Sequence, residues 1–240
     1  MNFKELRFKA LIKIGNLIFS KYHFKYHHLD WWGNSRFTDY LKSYGNFKSS
    51  NDDRRWMLAQ LARLVRNVPG DTVECGVYRG ASSSVICEEN ESSSFSKKHH
   101  IFDSFEGLSE PDAQDGNHWT QGDLFCGLAE VKRNLSQYKN VNYYQGWIPD
   151  RFPEVSRERF SLVHIDVDLF QPTLDSLAFF YERMQQGGII ICDDYGISNC
   201  PGATSAVDGF LLDKKEKMLP LCCGGGFMIK GNATGKCLYQ

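Results

Sequence analysis

Thr72-Val-Glu-Cys-Gly-Val-Tyr-Arg-Gly80 reads as a strand that runs into a turn at Gly76 and Gly80, with a helix through Ser82 to Glu89 to follow. A helix over Asp52 to Val68 precedes it. Further apolar runs recur at His100 to Asp103, Val141 to Tyr144, Phe160 to Ile165 and Gly188 to Cys192, and helix-length segments such as Leu128 to Tyr138 and Thr173 to Gln185 separate them. Strands alternating with helices predict an α/β domain whose mostly parallel, twisted sheet is flanked by helices. Leu219 to Cys223 and Gly226 to Lys230 suit a terminal hairpin joined through glycines.

The first fifty residues differ in character, being rich in aromatic, basic and His side chains. They are expected to form a helical cap over residues 1–50, serving as a lid or an oligomer contact, ahead of a catalytic domain over 51–240. His23, His27 and His28 cluster with Trp31 and Trp32, which suits either a substrate-contacting lid or a subunit interface. The run from Phe8 to Phe19 is too short to span a bilayer and is interrupted by Lys9 and Lys13, so it reads as an amphipathic helix. It packs on the domain, at a dimer contact or at a membrane surface.

With 240 residues and 42% hydrophobic content, the chain can bury one substantial core. Its 28 basic and 29 acidic side chains nearly cancel, which excludes a broad electrostatic footprint for nucleic acid. The eight cysteines contain no C-x-x-C pair and read as reduced and structural, which argues against zinc. No export cleavage site follows the apolar segment and no integral membrane segment is expected. A cytoplasmic enzyme, a homo-oligomer such as a dimer, fits these features.

In open α/β sheets the ligand crevice lies beyond the carboxyl ends of the strands. Glycines in the turn after Cys75 let a backbone approach a ligand, while Glu74 suits an amino group better than a pyrophosphate. The next strand ends in Phe102-Asp-Ser-Phe-Glu-Gly107, where Asp103 can accept hydrogen bonds from both hydroxyls of a ribose or can simply cap a helix. Trp147 offers a flat face for stacking or for packing.

Asp166 and Asp168 end one strand, and Asp193 and Asp194 end another that begins after Gly187-Gly188. Carboxylates packed together raise one another's pKa, and a divalent cation is a natural way to hold them ionised. Oxygen ligands favour magnesium, manganese or calcium. Taken singly, each Asp also suits a helix cap or a turn. His164 reads as a hydrogen-bonded core residue.

The chain resembles the macrocin O-methyltransferase family, class I methyltransferases of Rossmann-like fold. The resemblance rests on Val73-Glu-Cys-Gly-Val-Tyr-Arg-Gly80, Phe102 to Gly107, Gly146-Trp147, Ile165-Asp-Val-Asp-Leu169 and Cys192-Asp-Asp-Tyr-Gly196, over roughly residues 50 to 212. It implies S-adenosylmethionine and magnesium (or manganese) as cofactors. Glu74 and Gly76, with Val77 and Tyr78, would hold the methionine end; Asp103 and Ser104, with Phe105, the ribose; Gly146 and Trp147 the adenine. Asp166, Asp193 and Asp194 would be the metal ligands, with Asp168 behind them. The sequence departs from the family at Val167, usually glycine, and at His164, commonly arginine.

The chemistry expected is methyl transfer to a hydroxyl of a sugar, a glycosylated natural product or a polysaccharide precursor. A base would take the departing proton, and His118, in the long loop Ser109 to Asp123, is the candidate, a surface histidine being the alternative. A nicotinamide-dependent oxidoreductase is disfavoured because residues 74–80 lack the G-x-G-x-x-G spacing. A binding protein that has lost its chemistry is the other alternative.

Overall fold

A computed structural model describes residues 3–18, 30–44 and 51–235. The chain divides into two compact units, Met1–Tyr40 and Leu41–Gln240. In the first, helix α1 (Phe3–Ile18) begins five residues earlier than the amphipathic pattern suggested and exposes Phe3, Leu6, Ile14 and Leu17. Helix α2 (Ser35–Ser43) starts in this unit, capped by Asn34, whose Oδ1 accepts the Phe37 N–H at 3.0 Å. His23, His27 and His28 lie outside the described residues, as does Cys237. No helix among the described residues is long and apolar enough to cross a membrane.

The second unit is built on a seven-stranded sheet: β1 (Asp71–Cys75), β2 (His99–Asp103), β3 (Val141–Gln145), β4 (Phe160–Ile165), β5 (Met184–Cys192), β6 (Leu219–Pro220) and β7 (Gly226–Ile229). Its order is β3-β2-β1-β4-β5-β7-β6, with the first five strands parallel and β7 antiparallel to both neighbours. The chain reverses its direction of travel across the sheet between β1 and β4, so their carboxyl ends open a crevice. Helices α3 (Asp52–Leu64), α4 (Ala81–Glu91), α5 (Leu128–Asn134), α6 (Phe170–Phe180) and α7 (Pro201–Phe210) complete the unit.

Strand alternation divides the labour between the two faces. Val73, Cys75, Val163, Ile165, Ile190 and Cys192 point to one face, where Leu177 and Phe180 of α6 and Ala203 and Val207 of α7 close the main core. The other face carries Thr72, Glu74 and His164, a buried polar row.

Several boundaries differ from the sequence expectation for identifiable reasons. Helix α3 stops at Leu64 rather than Val68, and the chain runs on to Pro69 through tighter turns in which the N–H groups of Val65, Arg66 and Val68 donate to the carbonyls three residues back. Gly187-Gly188 does not start β5 but forms a bulge within it, and the register to β4 slips between Phe160 and Leu162. A Cβ on Gly188 would lie 2.9 Å from the Ser161 carbonyl oxygen, so only glycine fits this crossing. Helix α6 starts at Phe170, three residues before the predicted Thr173, since Pro172 is tolerated in a first turn.

Candidate active site

A cavity of about 730 Å³ opens at the carboxyl ends of β1, β2, β4 and β5, within the range of a small-molecule site. It is lined by Gly76, Val77 and Tyr78 from the turn after β1, by Asp103 and Ser104 after β2, and by Trp147 after β3. Asp166 and Asp168 after β4, Asp193 and Asp194 after β5, and His118 from the long loop complete the set. Residues far apart in sequence thus meet around one space.

The turn after β1 depends on backbone conformations that favour glycine: Gly76 has φ +80° and Gly80 +88°, and the latter caps α4. Tyr78, Phe105 and Asp168 adopt φ of 45°, 58° and 60°, rare for residues with a side chain, and all three sit just past strand ends, Tyr78 and Asp168 in the cavity lining. Asp103 accepts the Val77 N–H on Oδ2 at 2.7 Å and the Phe105 N–H on Oδ1 at 2.6 Å, so one carboxylate fixes both turns. Burial raises the Asp103 pKa, and those two amides partly offset the rise.

Three of the residues expected to bind cofactor stand outside the lining. Glu74 is fully buried on the face opposite the main core, because strand alternation sends it under α4. Its Oε2 accepts from the Ser83 hydroxyl, and His164 Nδ1 lies 2.9 Å from its Oε1. Phe105 turns its ring into a cluster with Val77, Ile101 and Leu135. Gly146, at φ +153°, bends the chain ahead of Trp147, which is 39% exposed and lines the cavity.

The acidic end is crowded. Carboxylate oxygens of Asp166, Asp193 and Asp194 lie within 4.8 Å of one another, and a second group joins Asp168 and Asp194 to the Cys200 thiol. Asp194 Oδ2 accepts the Asp168 N–H at 2.8 Å. Burial and then neighbouring carboxylates raise the pKa of Asp166, Asp168 and Asp194. Asp193 goes the other way: burial would raise it, but His164, Arg54 and Arg55 hold it low. An all-oxygen donor set of three carboxylates this close together fits a hard divalent cation.

Arg54 and Arg55 also line the cavity, and the sequence reading missed them. Arg54 Nη1 donates to the Asp193 carbonyl at 2.8 Å and to its carboxylate, while Arg55 Nη1 sits 3.9 Å from Asp166. A signal was present: basic side chains in the first turn of a helix oppose its dipole, so Asp52-Asp-Arg-Arg55 carries a local conflict that a tertiary partner resolves.

The loop over Ser109 to Asp123 is anchored. Asp115, buried, accepts the Phe170 N–H at 2.7 Å and so caps α6, and the Trp119 indole N–H points to Cys200 Sγ at 3.4 Å. His118 between them is exposed at the cavity, with Asn199 Nδ2 3.4 Å from its Nε2.

The sequence profile described as Macrocin-O-methyltransferase (TylF) matches residues 54–217. The chain is 32% identical over 155 residues to a Streptomyces olivaceus protein, 8-demethyl-8-(2,3-dimethoxy-alpha-L-rhamnosyl)-tetracenomycin-C 4'-O-methyltransferase, covering 58% of each. It is 32% identical over 151 residues to mycinamicin III 3''-O-methyltransferase of Micromonospora griseorubida, covering 55% of this chain and 58% of that one. The matches thus span less than two thirds of these relatives. Among solved structures, the O-methyltransferase NovP superposes with a TM-score of 0.63 at 24% identity, over 80% of this chain and 88% of that one. With the profile matched across the β1 turn, the acidic strand ends and both arginines, the chain belongs to the macrocin O-methyltransferase family.

Proposed function

We propose that this chain transfers a methyl group from S-adenosylmethionine to a hydroxyl of a sugar-bearing small molecule, with a divalent cation at the acidic end of the cavity. The observation that carries this reading is the single cavity in which the Gly76 and Asp103 turns face Asp166, Asp193 and Asp194. The rhamnosyl acceptor in the name of the Streptomyces olivaceus relative supports a sugar hydroxyl as the class of acceptor.

Gly76, Val77 and Tyr78 would present backbone to the methionine portion of the cofactor, Asp103 and Ser104 would receive its ribose, and Trp147 would offer a face to its adenine. The cofactor supplies an electrophilic methyl group on a sulfonium. Asp166, Asp193 and Asp194 would hold magnesium or manganese, which would supply positive charge to lower the pKa of an acceptor hydroxyl. His118 takes the proton of that hydroxyl onto a ring nitrogen, Asn199 steadies the ring, and Asp115 keeps the loop seated on α6. Incubation with methyl-labelled cofactor and a panel of glycosylated acceptors, with and without chelator, tests the reading. Label in a glycoside, lost on chelation, is expected; label in none of the panel, or transfer indifferent to chelation, contradicts one half or the other.

A further inference from the structure

We infer that Glu74 serves the acidic centre rather than the cofactor, acting through His164 to aim the Asp193 carboxylate. The inference rests on the proposed role of Asp193 as a cation ligand.

The hydrogen bonds converge on Glu74 from two sides. Asn90 Nδ2 donates to Thr72 Oγ1 at 2.7 Å, and Thr72 Oγ1 lies 2.9 Å from His99 Nδ1. His99 Nε2 lies 2.9 Å from Ser83 Oγ, whose proton goes to Glu74 Oε2. An ionised carboxylate only accepts, so His164 Nδ1 must donate to Glu74 Oε1 across 2.9 Å. Both Glu74 oxygens are engaged inside the protein, and the side chain is fully buried outside the cavity lining. No oxygen faces a ligand.

With Nδ1 committed, the His164 ring is fixed, and its Nε2 is buried without a hydrogen-bond partner, 3.7 Å from Asp193 Oδ1. Arg54 holds the other oxygen, Oδ2. Asp193 therefore lies between Arg54 of α3 at Oδ2 and the His164 ring of β4 facing Oδ1, and Glu74 is the anchor of that ring. Partners one step removed from a metal ligand that fix its orientation commonly change metal affinity 10- to 100-fold when lost. His164 and Glu74 are positioning residues in this arrangement.

The test is calorimetric titration of the full chain with Mn2+ and, separately, with S-adenosylmethionine, on wild type, Glu74→Gln and His164→Asn, with circular dichroism to confirm folding. Glu74→Gln keeps the shape, and the second variant breaks the same linkage elsewhere should the first not fold. The account expects about a tenfold or greater loss of Mn2+ affinity in both, with cofactor affinity held within about twofold. Lost cofactor affinity with unchanged Mn2+ affinity would overturn it while leaving the proposed function standing. A wild type that binds cofactor but no Mn2+ would remove the cation reading and this inference with it.

Discussion

Gly76 and Asp166 meet backbone to backbone: a Cβ on Gly76 would sit 1.9 Å from the Asp166 carbonyl oxygen, and the Asp166 N–H donates to the Cys75 carbonyl at 2.9 Å. The turn lining the cavity after β1 and the strand end carrying a candidate metal ligand are thus one packed unit. Nothing larger than a hydrogen fits between them.

Gly76→Ala should therefore damage fold and function together. A side chain at φ +80° against a backbone oxygen is expected to cost about 3 kcal/mol. Thermal unfolding checks this, and an unchanged midpoint would show that the contact relaxes freely.

Arg54→Ala leaves the Asp193 carboxylate, whose side chain is 8% exposed, without its closest cation. Breaking a buried ion pair on one side costs about 3 kcal/mol, and Arg54→Lys should recover part of it, since a single nitrogen, Nη1, meets both the carbonyl and the carboxylate and an ammonium restores the charge from a shorter stem. Urea denaturation midpoints in the order wild type, Lys, Ala are expected; equal midpoints would mean that solvent screens the pair.

Asp166→Asn and Asp193→Asn should each abolish cation-stimulated transfer, a drop of about a hundredfold or more, while the folded spectrum persists. Turnover unchanged in both variants would defeat the cation assignment.

His118→Ala should slow transfer by about a hundredfold near neutral pH, with the deficit narrowing in alkaline buffer as solvent base substitutes for the ring. A deficit equal at every pH would assign His118 to positioning instead.

Lys97 gives a pH signature in stability. Burial pushes its pKa down to about 8, only partly opposed by Asp71, while Nζ donates to the Val68 carbonyl and to Ser161 Oγ. The unfolded chain holds this proton more tightly than the native one. Its contribution to stability is therefore complete only above the unfolded value and is lost as pH falls through about 8. The stability gap between wild type and Lys97→Met should widen from pH 8 upward, as read by chemical denaturation; a gap flat with pH would mean that the lysine keeps its proton as readily folded as unfolded.

The strand ends were legible in the sequence because apolar runs closed by Gly or Asp mark where backbone leaves a parallel sheet. That pattern alone put Gly76, Asp103, Asp166 and Asp193 at one edge. The facing of Glu74 was open to the same reasoning, since a residue flanked by the inward Val73 and Cys75 points the other way, but its partners Ser83 and His164 lie nine and ninety residues off. Arg54 likewise meets Asp193 across 139 positions, a distance that local pattern does not encode. Helix α7 went unread because Pro201-Gly-Ala-Thr204 opens it with turn-forming residues, although proline suits a first helical position.

The cavity at the carboxyl ends of β1, β2, β4 and β5 is expected to take S-adenosylmethionine. Calorimetric titration of the folded chain with S-adenosylmethionine and with NAD measures it most directly. Saturable binding of the first, weakened at least about tenfold by Asp103→Ala, with no heat from the second, is the predicted result. A folded sample that takes up NAD, or that gives no binding heat with S-adenosylmethionine, would contradict the account.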